Sequence, residues 1–122
     1  MSDDLIRLMQ SLFLPAAGTC REACWRPAVD VYRTPRGWLV KFDLAGVRIQ
    51  DIALSVCGTR LTVHGSRRDW CAEEGASHYR MEIAYSHFER SIELPCNLEL
   101  ARIASDYREG MLLVRIEMEA RP

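Results

Sequence analysis

Five cysteines (Cys20, Cys24, Cys57, Cys71, Cys96) and three histidines (His64, His78, His87) carry most of the metal-binding and nucleophilic potential of this 122-residue chain. Cys20 and Cys24 are four apart, so on a helix they would share a face and supply half of a zinc site. No nearby His or Cys completes it, so no metal and no other cofactor is expected. The histidines show no spacing that suggests a shared site, and each reads as an exposed strand or loop residue. Glu73-Glu74 lies in a polar stretch and reads as a solvated pair, because acid–base work needs carboxylates in environments that push their pKa values apart. There is no Gly-x-Ser-x-Gly elbow, phosphate-cradling glycine loop, His-Glu-x-x-His or Cys-x-x-Cys. The chain does not read as an enzyme.

An odd cysteine count in a chain able to bury a core argues against a disulfide framework and for reduced thiols. Cys57 and Cys96 then read as small buried hydrophobes. One cation stands out instead. In His87-Phe-Glu-Arg-Ser-Ile-Glu-Leu-Pro95, the face that carries Phe88, Ile92 and Leu94 also carries Arg90. A guanidinium there is costly unless a carboxylate or carbonyls satisfy its donors. Two readings stand even: an internal pairing or local twist, or an arginine at a subunit interface, where arginine is enriched.

The bulk properties say what these residues are mounted on. Hydrophobic residues make up 48% of the chain, enough for one domain with its own core. The formal charge is -1 and the arginines are scattered, so no basic stripe points to nucleic acid or to an acidic membrane. No apolar run approaches the roughly 20 residues that span a bilayer. Asp3 and Asp4 stand where a signal peptide wants Lys or Arg, and the residue order in Leu14–Cys20 is wrong for a lipoprotein site. A cytoplasmic location is expected.

Residues 2–14 read as a short amphipathic helix, capped by Ser2, with Leu5, Leu8, Met9 and Leu12 as its apolar stripe and Pro15 as its end. From Ala28 the period changes to two. Ala28–Thr34, Trp38–Leu44, Asp51–Cys57, Arg60–His64, Tyr79–Ala84, His87–Leu94, Ile103–Tyr107 and Met111–Ile116 all alternate, with turns at Pro35-Arg36-Gly37 and Gly58-Thr59. That pattern predicts an all-β, antiparallel, immunoglobulin-like sandwich of about seven strands. Arg67–His78 is a polar loop of a length usually reserved for function or mobility.

Five stretches, in order, resemble the small heat-shock protein (α-crystallin) family over about three quarters of the chain. They are Pro27–Thr34, Trp38–Val47 with its Ala-Gly-Val, Leu61–Gly65, Tyr79–Pro95 with its aromatic, arginine and closing Leu-Pro, and Gly110-Met-Leu. The resemblance divides the chain into an arm (1–26), an α-crystallin domain (27–118) and a short tail (119–122). It implies an ATP-independent holdase that binds unfolding clients and works as a dimer or small oligomer. The long loop resembles the bacterial and plant subclass, in which an extra strand is exchanged with the partner. Ser77, His78, Tyr79 and Arg80 would then pair near Val29 and Val31 of a second copy, and Arg90 matches the family's signature arginine.

Two departures stand out. Ser86 replaces a usual Gly, and only six residues follow Val114-Arg115-Ile116, where relatives carry an Ile-x-Ile tail. The groove for such a tail, bounded by Ile52, Leu54, Val56, Ile103 and Tyr107, is expected to be open to clients or to tails of other small heat-shock proteins. Leu5, Leu8, Met9, Leu12 and Phe13 are the expected client-binding arm, with simple packing on the domain as the alternative. Competing functions are an interaction module that caps larger assemblies, a CS-type co-chaperone adaptor, and a chaperone regulated through Cys20, Cys24 or Cys71.

Overall fold

The computed structural model describes residues 24–70 and 73–119. The expected helix at 2–14 and its apolar stripe lie outside them, as do Cys20 and Cys71. Alternating side chains make β1 (Val29–Thr34), β2 (Gly37–Asp43), β3 (Ile52–Cys57), β4 (Arg60–Ser66), β5 (His87–Glu93), β6 (Ala101–Arg108) and β7 (Met111–Met118). They form two antiparallel sheets, in the orders β1-β2-β7-β6 and β3-β4-β5. The expected sandwich is the observed fold, with strand ends shifted by a residue or two.

Register decides which side chains meet. Trp38, Val40 and Phe42 of β2 stand opposite Ile116, Val114 and Leu112 of β7. Leu61 and Val63 of β4 stand opposite Ile92 and Arg90 of β5. Val40, Phe42, Leu44, Leu61, Val63, Phe88, Leu98, Val114 and Ile116 are buried between the sheets, and among the described residues no polar or charged residue is fully buried. Each fully buried aliphatic or aromatic side chain contributes about 1.5–3 kcal/mol.

Tight turns hold this register. Glu109 (φ 53) and Gly110 (φ 78) make a two-residue hairpin with both central residues left-handed, the geometry whose twist matches the flanking strands. Gly110 accepts from the Leu44 amide at 2.7 Å, and a Cβ there would lie 2.9 Å from the Ala45 Cα, so its absence also permits close packing.

Three expectations are corrected. Tyr79–Ala84 is not a strand in the single chain. Its alternation is that of a strand, but among the described residues no sheet edge lies beside it. Cys57 is exposed rather than buried, because it ends β3 on the outward parity beside the Gly58 turn. Cys24 is disulfide-bonded rather than reduced; Cys57 and Cys96 are free.

Candidate functional site

Three surfaces are built around the two ends of the sheets. The first is the segment between β4 and β5. Its root is tied down. The Arg67 amide donates to the Ser86 carbonyl at 3.0 Å, and the Arg67 side chain donates to Ala84 O (2.8 Å) and Ala45 O (3.1 Å). The same guanidinium lies 3.7 Å from the centre of the Trp25 ring. Trp70 is held nearby by its indole donating to Gly46 O at 3.2 Å and by Arg48 above its ring. Beneath this root is an open cavity of about 560 Å³, lined by Trp25, Ala45, Arg67, Trp70, Ile83 and Tyr85 among others.

Beyond the root the segment projects. Among the described residues, none from Ser77 to Ile83 makes a backbone hydrogen bond to the domain. Tyr79 is fully exposed, Met81 is 49% exposed, Ile83 58% and Tyr85 39%. These four are two apart, so in an extended chain they share one face. Arg80 and Glu82 alternate with them and pair with each other at 2.9 Å. The expected interface residues Ser77, His78, Tyr79 and Arg80 are therefore all exposed, but the apolar row runs further, to Tyr85. The alternation at 79, 81, 83 and 85 was present in the sequence and could have located it.

The second surface is β1. Among the described residues it is an edge of the four-stranded sheet, paired only with β2. Val29 is half-buried and Val31 is 42% exposed. Lys41 stacks on Tyr32 and Arg33 on Trp38 across the β1–β2 pair. The Lys41 pKa is raised, first by its interaction with Tyr32. An edge of this kind presents unpaired backbone groups to any extended segment.

The third surface lies along two further edge strands, β3 and β6. Ile52, Leu54, Val56, Ile103 and Tyr107 are all half-buried against the core. A 3-10 turn at Leu98–Leu100 touches both strands. It is held by Glu99 accepting from the Gly58 amide at 2.7 Å. Tyr107 has a second task unforeseen from sequence: its hydroxyl lies 2.8 Å from Leu44 O and 2.6 Å from Val47 O. Burial raises its pKa.

Arg90 lies apart from the exposed row. Trp25 forms a single parallel bridge with Phe88, its amide donating to His87 O at 2.9 Å. Pro27 has no N–H to continue this ladder, and its carbonyl accepts from Arg90 Nη1 at 2.9 Å. Arg90 Nε is buried, with no hydrogen-bond partner among the described residues. Within the chain, the internal pairing thus accounts for one donor of this side chain. The histidines are dispersed: His87 Nδ1 bonds Ser66 Oγ at 2.8 Å, and His78 is exposed in the projecting segment. Among the described residues, no group of three or more His, Cys, Asp or Glu is placed to hold a metal, and no helix is long and apolar enough to cross a membrane.

Residues 30–122 match the model of the Hsp20/alpha crystallin family. The chain is 34% identical over 89 residues to a 17.8 kDa class II heat shock protein of Zea mays, covering 72% of this chain and 54% of that one. It is 30% identical over 90 residues to spore protein SP21 of Stigmatella aurantiaca, covering 74% and 53%. A solved small heat-shock protein from Xylella fastidiosa, whose title reports a distinct high order structure, superposes with a TM-score of 0.66 at 26% identity over 80% of this chain and 90% of that one. The chain spans a little over half the length of the first curated relatives it matches. Family model, relatives and fold agree, and the chain belongs to the Hsp20/alpha crystallin family of small heat-shock proteins.

Proposed function

We propose that this protein is an ATP-independent holdase whose working unit is a dimer formed by exchange of the projecting segment. The observation that carries the reading is the apolar row Tyr79, Met81, Ile83 and Tyr85, exposed two residues apart beside no edge of its own. A second copy offers such an edge in β1. Pairing there would satisfy main-chain groups on both partners and remove the row from water. Large apolar side chains contribute about 1.5–3 kcal/mol each when fully buried, so a row of this kind can offset the cost of association. The half-buried groove of Ile52, Leu54, Val56, Ile103 and Tyr107 is then the docking site for apolar client segments or for Ile-x-Ile tails of other family members. Leu5, Leu8, Met9, Leu12 and Phe13 supply a further client contact. The chain works in the cytoplasm, as an arm (1–26) and a domain (27–118).

The test is light scattering from a heat-unfolding client, with the protein added and ATP absent. Suppression near equal molar ratio is the expected result. No suppression by a protein that is folded and dimeric would overturn the holdase reading and leave an interaction module.

A further inference from the structure

We infer that Arg67 is a positioning residue: it sets the direction and free length of the exchange segment, and so the affinity between copies, without touching the partner. The inference rests on the exchange reading above. Its basis is the convergence of three chain segments on one guanidinium. The π-face of Trp25, from the approach to β1, lies 3.7 Å away. Ala45 O, from the β2–β3 connection, and Ala84 O, from the returning side of the segment, accept its N–H groups. The backbone of Arg67 closes the same root onto Ser86.

Only arginine combines a flat cationic face with a fork of donors in fixed directions. A lysine at this position keeps the charge but cannot stack flat on Trp25 while reaching two carbonyls. With the clasp intact, the row from Tyr79 to Tyr85 starts from a fixed point and loses less freedom when it docks. Without it, the strand ends β4 and β5 keep their pairing, but the segment becomes a longer tether that must be ordered at association. The neighbouring Arg68 makes a useful contrast, being 70% exposed and only loosely paired with Asp51 at 3.5 Å.

The experiment measures the dimer Kd of the full chain by sedimentation equilibrium, beside the urea midpoint of each variant. Arg67→Met and Arg67→Lys are both expected to weaken the dimer by about tenfold or more. Arg68→Met should stay within about twofold of the unsubstituted protein. A clasp that merely held the fold together would lower the urea midpoint and leave the Kd of folded chains unchanged, which overturns the inference. Full retention of affinity by Arg67→Lys overturns it too, since charge alone would then suffice. If the unsubstituted protein is monomeric at all concentrations, the exchange reading itself fails. Should the Arg67 variants not fold, hydrogen exchange on the unsubstituted protein decides. The Arg67 amide should be protected at every concentration, while amides 77–83 gain protection only as dimer forms. An unprotected Arg67 amide would overturn the clasp.

Discussion

Arg90 Nη1 donates to the carbonyl of Pro27 at 2.9 Å, where the chain leaves the edge of β5 for the other sheet. The bond anchors the chain just past the single Trp25–Phe88 rung, at the residue whose missing N–H ends the ladder. A polar contact in this position ties the two sheets at their crossover.

Replacing Arg90 by alanine should therefore cost about 1–3 kcal/mol, since Pro27 O loses a charged donor. The urea midpoint should fall with the far-ultraviolet spectrum of the sheets retained. Arg90→Lys should recover part of the loss. An unchanged midpoint for the alanine variant would show that the bond contributes nothing.

The apolar row makes a different prediction. Met81→Lys combined with Ile83→Lys changes side chains that are half exposed in the single chain, so the thermal midpoint of the monomer should hardly move. Dimer affinity should fall by about tenfold or more, read by sedimentation equilibrium. A dimer of unaltered strength would move the interface elsewhere.

For the groove, a fluorescent peptide ending in Ile-x-Ile should bind, and Ile103→Ser should weaken it by about tenfold. Anisotropy measures the affinity and amide shifts give the location. Shifts confined to surfaces away from β3 and β6 would refute the site.

Tyr107 supplies a dependence on pH. Its folded pKa lies above the unfolded one because burial disfavours the phenolate. The resulting stabilisation is fully present below the ordinary tyrosine value and is lost as pH rises through the folded pKa. Tyr107→Phe should cost about 1 kcal/mol at neutral pH through its lost hydrogen bond. That gap should close as the solution is made alkaline, in urea titrations at several pH values. A gap independent of pH would mean that the hydroxyl plays no part.

How much of this was legible beforehand varied with the kind of pattern. Strands with one face in the core, such as β2 with Trp38, Val40 and Phe42, announce themselves by strict alternation, and the family motifs lie on them. Tyr79–Ala84 alternates equally well, yet it is not a strand in one chain, because a strand needs a neighbour as well as a pattern. The half-burial of Ile52, Leu54, Val56, Ile103 and Tyr107 could be read in advance because their inward parity follows from β3 and β6. Arg67 could not. Its contacts to Trp25, Ala45 and Ala84 come from three separate stretches, and no local spacing encodes them. Cys57 misled for a related reason: composition makes a cysteine look buried, but its place in β3 turned it outward.

The single rung between Trp25 and Phe88 has a further consequence. Because Pro27 ends the ladder after one bridge, among the described residues most of β5 keeps an open flank. Such flanks invite identical strands to zip together into fibrils. Here the strand's own acids oppose that outcome. A copy of β5 laid antiparallel and centred on Ser91 would set Glu89 of one molecule against Glu93 of the other, twice over, and both glutamates are exposed. Like charges directly across a strand pair are destabilising. Glu93 is further held in its ionised form by bonds from Thr59 and Arg60. Fibril growth through this flank is thus resisted by the strand's own like charges.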